Sequence, residues 1–251
     1  MSLSAPDGRR PDVTAAQSWA DLAVGGTVFV WITVVLLADR GAGMGFQWVL
    51  GLATWGVLLG LLRRETPLVR AQVAVVVAFA TAVEYTFSPL LGVYLYRLGT
   101  VPSFVPPGHG LVYLCALVLG RTCWFHRWRR PLIATTVAVG GAYALRGLFL
   151  TDRQDALGAF WFACLLGFLC LGRSRTLYVG AFLIVTYLEL LGTAVHAWTW
   201  EPRDPTGWVS IGNPPSGAAG GYGWFDLAAL LAAPAVLRAV ARVRRRPVPA
   251  A

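Results

Sequence analysis

Eight apolar stretches, each long enough to cross a bilayer as a helix, leave this chain little choice of fold. They fall at about 20–38, 43–62, 70–90, 108–125, 131–150, 155–172, 176–196 and 218–240, and roughly 17–25 residues suffice for one crossing. Hydrocarbon offers no hydrogen-bond partner, so each segment must satisfy its own backbone as a helix. An all-α, polytopic membrane fold of eight helices is therefore expected. The composition agrees, with 57% hydrophobic and 13% charged residues and a mean hydropathy of +0.61, well outside the range of soluble domains. The first 20 residues are polar, contain proline and carry no cleavable signal pattern. Residues 1–19 are expected to form a disordered cytoplasmic tail and 241–251 a basic one.

The charges test the number of crossings. All 21 basic residues are arginine. With eight helices, sixteen of them collect on one side, among them Arg63, Arg64, Arg70, Arg121, Arg127, Arg129, Arg130 and Arg238. Four, Arg40, Arg97, Arg153 and Arg203, lie on the other, and Arg146 falls within a span. This is the positive-inside pattern of a multi-pass protein in the cell membrane with both termini cytoplasmic. The net charge of +9 is thus placed for topology and implies no nucleic-acid partner. Cys115, Cys123, Cys164 and Cys170 lack metal or redox spacing, so neither a disulfide nor a cysteine metal site is expected. Gly56-x-x-x-Gly60 and Gly140-Gly141 are small-residue faces suited to close helix approach.

Two stretches about 105 residues apart repeat one pattern. Glu84 is followed by Tyr94-Leu-Tyr96 and then Pro106-Pro107-Gly-His109; Glu189 is followed by Trp198-Thr-Trp200 and then Asn213-Pro214-Pro215-Ser-Gly217. The copies fall on the third and fourth and on the seventh and eighth segments. Residues 20–125 and 131–240 are therefore read as two four-helix repeats, parallel because the offset is an even number of helices.

Acids inside a membrane segment are costly and mark functional sites by default. Counting about 1.5 Å per residue along each helix puts Glu84, Glu189, Arg146 and Asp226 at one depth, nearer the outer face. One arginine cannot pair three acids. Arg146 is expected to keep one carboxylate ionised while desolvation leaves another protonated near neutrality, the division of labour of an acid/base pair. His196, two helical turns beyond Glu189, and His109 extend this layer outward. The catalytic set is thus Glu84, Glu189, Asp226 and Arg146, with His109, His196, Tyr94, Tyr96, Trp198, Trp200 and Asn213 around the substrate.

The order of acid, aromatic-x-aromatic and proline turn, twice over, resembles the membrane carotenoid enzymes that include the heterodimeric-type lycopene cyclase domains and the carotenoid hydratases. Glu84, Tyr94, Tyr96 and Pro107 carry the likeness in one half, and Glu189, Trp198, Trp200 and Pro215 in the other. Where the cyclase domains place paired acids after the proline, this chain has Gly-His109 and Ser-Gly217. The resemblance implies cyclase- or hydratase-like acid/base chemistry, by way of a carbocation, on a lipid-soluble isoprenoid or polyene within membrane lipid, with no cofactor. Two alternatives remain. One is a membrane metal enzyme with Glu84, His109, Glu189 and His196 as ligands; the other is a non-enzymatic carrier of lipid or solute.

Overall fold

The computed structural model describes residues 14–172 and 174–244; the parts of the two expected tails at residues 1–13 and 245–251 lie outside these. The described residues form α1 (Ala15–Asp39), α2 (Met44–Leu62), α3 (Pro67–Tyr85) running into a π-helical turn (Thr86–Leu90), β1 (Tyr94–Tyr96), α4 (Val105–Arg121), α5 (Cys123–Arg127), α6 (Arg129–Phe149), α7 (Ala156–Leu171), α8 (Arg175–Ala194), β2 (Trp198–Trp200) and α9 (Ala218–Arg244). Each apolar window holds one long helix. Six are long and apolar enough to cross a membrane: α1, α2, α3 with its π turn, α6, α8 and α9.

Two boundaries differ from expectation because polar residues can start or prolong a helix. Residues 15–19, assigned above to a disordered tail, already belong to α1. Thr14 Oγ1 accepts from Gln17 N at 3.2 Å while Gln17 Oε1 accepts from Thr14 N at 3.1 Å, a reciprocal cap that fixes the helix start. At the other end α9 continues through residues 241–244.

α4 and α8 form the centre. α4 packs against α1, α2, α3 and α8, and α9 packs against α3, α7 and α8. Glycine makes the closest approaches possible. A Cβ on Gly180 would stand 2.5 Å from Ala116 O, and one on Gly220 only 1.7 Å from Trp161 O, so α4 touches α8 and α7 touches α9 backbone to backbone. Gly140 and Gly141 receive the Phe162 ring, as a small-residue face should, but Gly56 and Gly60 meet nothing within 4 Å and pack no helix here. At one end of the bundle Arg121 clamps two carboxylates, donating to Asp21 at 2.6 and 2.8 Å and to Glu65 at 2.7 and 2.8 Å. This fork ties α1 and the α2–α3 turn to the end of α4 in bidentate geometry.

Candidate functional site

Each copy of the repeated pattern leaves its helix in the same way. Gly92 at φ 63° and His196 at φ 58° occupy the left-handed region two residues before β1 and β2. There the chain turns out of the helix into a three-residue strand. Ten residues separate Glu84 from Tyr94 but only nine separate Glu189 from Trp198. The π turn at Thr86–Leu90, with Pro89 inside it, takes up the extra residue, since a π turn is wider than the α-helix it interrupts.

The two strands then pair with each other. β1 and β2 are antiparallel, with Tyr94 opposite Trp200, Leu95 opposite Thr199 and Tyr96 opposite Trp198. The ladder continues symmetrically: Arg97 N donates to Ala197 O and Glu201 N to Val93 O, both at 3.0 Å. Strand side chains alternate, so Leu95 and Thr199 are exposed while all four large rings are buried. Tyr94 and Trp200 lie with ring centroids 4.5 Å apart.

Each aromatic pair holds the glutamate of its own copy. Tyr94 and Tyr96 hydroxyls both donate to Glu84 Oε2 at 2.7 Å. The indole N–H groups of Trp198 and Trp200 both donate to Glu189 Oε2 at 3.1 Å. The copies differ in their second oxygen. Glu84 Oε1 lies 2.8 Å from His109 Nε2, whereas Glu189 Oε1 has no hydrogen-bond partner among the described residues. His109 opens the second turn of α4, behind the Pro106-Pro107 start, and the corresponding residue of the second copy is Gly217. A side chain there would strike Gly158 O and Phe162 N at 2.0 and 2.3 Å. The tight α7–α9 contact therefore makes the second copy unable to carry a histidine at this place.

Both carboxylates face one chamber of about 270 Å³. Its remaining walls are largely aromatic and aliphatic and include Trp31, Phe79, Trp161, Tyr222 and Phe225. Tyr222 stacks on His109 with centroids 5.3 Å apart, and Phe225 meets the same imidazole edge-on. His109 Nδ1 is buried without a partner. With Nε2 donating to Glu84, a neutral imidazole leaves Nδ1 as a bare acceptor.

Of the predicted set, Glu84, Glu189, His109, Tyr94, Tyr96, Trp198 and Trp200 come together here; four residues do not. Arg146 is exposed, and among the described residues it makes no ion pair. The buried stripe of α6 is Thr136, Gly140, Ala144 and Gly147, and Arg146 lies off it, where a long side chain near a helix end reaches the interface. Asp226 is buried but does not line the chamber. The α9 face turned inward carries Tyr222 and Phe225, and the next residue is rotated about 100° away. Its Oδ2 and the Tyr113 hydroxyl are both buried without partners. His196 is exposed because α8 ends at Ala194, so a count of two more turns from Glu189 does not apply. Asn213 is exposed too, and its Oδ1 accepts from Trp200 N at 3.1 Å; it braces a strand and does not line the chamber. With His196 turned away, the proposed metal set falls apart, and no group of three or more His, Cys, Asp and Glu side chains is placed to hold a metal among the described residues.

Sequence reasoning missed Tyr222, Arg153 and Asp155. Arg153 donates to Trp200 O at 2.5 Å and to Ile211 O at 2.7 Å. Trp200 is thus held at both backbone groups, by Arg153 and by Asn213. Asp155 caps α7 through Gly158 N at 2.9 Å and also accepts from Gly212 N, Ser216 N and Ser216 Oγ at 2.6–2.8 Å. An aspartate just before an apolar helix is a capping signal; its grip on the 211–217 loop is a tertiary fact. Leaving one buried donor unpaired costs about 1–3 kcal/mol, and Asp155→Ala orphans several. This substitution is expected to lower stability by more than about 3 kcal/mol, read as a drop in Tm in detergent. Beyond β2, half-buried Asp204 accepts from the Thr206 hydroxyl and from the amides of Thr206 and Val209. These bonds, the Thr206 hydroxyl first, hold its carboxyl below the usual range.

Comparisons with protein-family models, with curated proteins and with solved structures give no match.

Proposed function

We propose that this chain is a membrane enzyme that protonates a carbon–carbon double bond of a lipid-soluble isoprenoid or polyene, in the manner of a cyclase or hydratase. The observation that carries the reading is a pair of carboxylates facing one aromatic, apolar chamber with unequal donors around them. Glu84 accepts from two phenols and an imidazole, a surround suited to a carboxylate anion. Glu189, which also lines the chamber, receives two indole N–H groups on one oxygen, and its other oxygen has no donor among the described residues.

In this scheme Glu189 gives its proton to one alkene carbon; the π electrons form the new C–H bond and leave a cation on the neighbouring carbon. A second double bond of the substrate can attack that cation and close a ring. Glu84 then removes a proton from an adjacent carbon to restore an alkene. Alternatively water adds to the cation and loses its proton to Glu84. Either way one proton leaves Glu189 and one arrives at Glu84, the general acid and base expected of such a pair. The rings of Tyr94, Tyr96, Trp198 and Trp200 are placed to attract the cation, at about 0.5–2 kcal/mol for each face presented.

The architecture proposed with it is eight crossings in two parallel four-helix repeats, 20–125 and 131–240, in the cell membrane with both termini cytoplasmic. Packing supports the duplication. Exchanging α2, α3 and α4 for α7, α8 and α9 maps the α3–α4 contact onto α8–α9, α2–α4 onto α7–α9 and α4–α8 onto α9–α3. An antiparallel strand pair is also what a two-fold axis along the membrane normal makes from two copies of one strand. The test is a lipid extract of cells with and without the gene. A gain of one water in an isoprenoid identifies hydration, and an isomer of unchanged mass identifies cyclisation. Identical extracts, with intact protein in the membrane and candidate polyenes supplied, would sink the proposal.

A further inference from the structure

α4 passes into α6 through an elbow, α5, at the end of the bundle opposite the strand pair. The elbow is pinned to α1. Cys123 N donates to Ser18 Oγ at 3.0 Å, and the Trp19 and Trp124 rings meet edge to face with centroids 5.0 Å apart. α1 and α6 are both long and apolar enough to span a membrane, and Trp19 and Arg129 fall in the opening turns of those segments. The elbow therefore lies where the bilayer meets water. Trp19 and Trp128 keep 64% and 56% of their surface exposed there, as suits rings that sit at headgroup level.

What the elbow lacks is negative charge. Among the described residues the acids at this end are Asp21 and Glu65, and the Arg121 fork takes both. Arg127, Arg129 and Arg130 are exposed, and their side chains meet no carboxylate or carbonyl among the described residues. Arg70 and Arg175, by contrast, donate to backbone oxygens at the preceding helix end. Helix stability does not explain Arg129 and Arg130 either, because positive charge in the first turn opposes the macrodipole. Three guanidinium groups within four residues thus stand beside exposed indoles with no counter-charge from the described chain.

We infer that this elbow is a docking surface for an anionic membrane phospholipid, with Arg127, Arg129 and Arg130 on its phosphate and Trp19 and Trp128 against its glycerol and upper chains. Guanidinium matches phosphate in charge and in the geometry of its paired donors. A soluble phosphate fits less well, since nothing in it would cover the indoles. The surface stands apart from the chamber, and its occupant takes part in no chemistry there.

The experiment titrates full-length protein in neutral detergent with phosphatidylglycerol or with phosphatidylcholine of the same chains, and counts bound lipid by native mass spectrometry. Wild type is expected to bind phosphatidylglycerol at least tenfold more tightly. Combining Arg127→Gln, Arg129→Gln and Arg130→Gln should weaken that binding on the order of 100-fold, since each arginine near an anionic headgroup contributes roughly a factor of five. Phosphatidylcholine binding should not change, and neither should the Tm without added lipid, because all three positions are exposed. Arg63→Gln with Arg64→Gln, at the α2–α3 turn of the same end, should cost no more than about threefold. Equal binding of the two lipids, an elbow variant that binds like wild type, or a turn variant that loses as much as the elbow variant overturns the inference. Displacement of the lipid by equimolar inorganic phosphate overturns it too, because the ligand would then be a soluble anion.

Discussion

Glu189→Gln is expected to abolish turnover of a verified substrate, by at least the 10²–10⁴-fold that one positioned proton donor contributes. Glutamine keeps the shape and keeps an oxygen for the indole N–H groups of Trp198 and Trp200, both 3.1 Å from Glu189 Oε2. It removes only the proton. The Tm should therefore stay at its wild-type value while product disappears from the lipid extract. Glu84→Gln should also suppress product, for a different reason. The amide cannot accept a proton, and its NH2 group must sit among the Tyr94, Tyr96 and His109 donors now converging on the carboxylate. Some stability is lost with it, so this variant is read through product formed per folded molecule. If both variants formed product at the wild-type rate, neither carboxylate would handle the proton and the mechanism would be wrong.

What sequence could say about this site was decided by how locally each residue is held. Glu84 with Tyr94 and Tyr96, and Glu189 with Trp198 and Trp200, were legible because each set lies within about a dozen residues and occurs twice. The pairing of the two aromatic triplets was not, since it joins residues over a hundred positions apart. The π turn was not legible either: the spacing of ten residues against nine between acid and aromatic pair does not say where the extra residue is taken up, which is at Thr86–Leu90. Helical extrapolation failed for His196, where the helix had already ended, as left-handed Gly92 in the other copy could have suggested. Arg146 and Asp226 were placed by depth alone. Depth fixes a level in the bilayer, but which way a side chain points depends on the buried stripe of its helix, Thr136 to Gly147 for α6 and the Tyr222–Phe225 face for α9. The eight windows each found a helix, because apolar length is a property of contiguous sequence.

Gly220→Ala should be the most damaging single change outside the carboxylates, although it adds one methyl group. That carbon would lie 1.7 Å from Trp161 O and 2.6 Å from Trp161 C. The obstacle is backbone, so no rotamer change relieves it, and α7 and α9 must separate. Overpacking with mobile neighbours typically costs about 1–3 kcal/mol; here the cost should reach or exceed the upper end. The chamber would suffer with the fold, because Trp161 is part of its wall and meets Trp200 edge-on at 5.7 Å. The matched control is Gly26→Ala in α1, where nothing lies within 4 Å and alanine should be neutral or stabilising by up to about 1 kcal/mol. Thermal unfolding in detergent should therefore separate the two alanines sharply. A Gly220→Ala protein as stable as wild type would mean that α7 and α9 do not touch backbone to backbone. The steric reason given for Gly217 standing where the first copy has His109 would then fail with it, and so would the account of why only one carboxylate has a histidine.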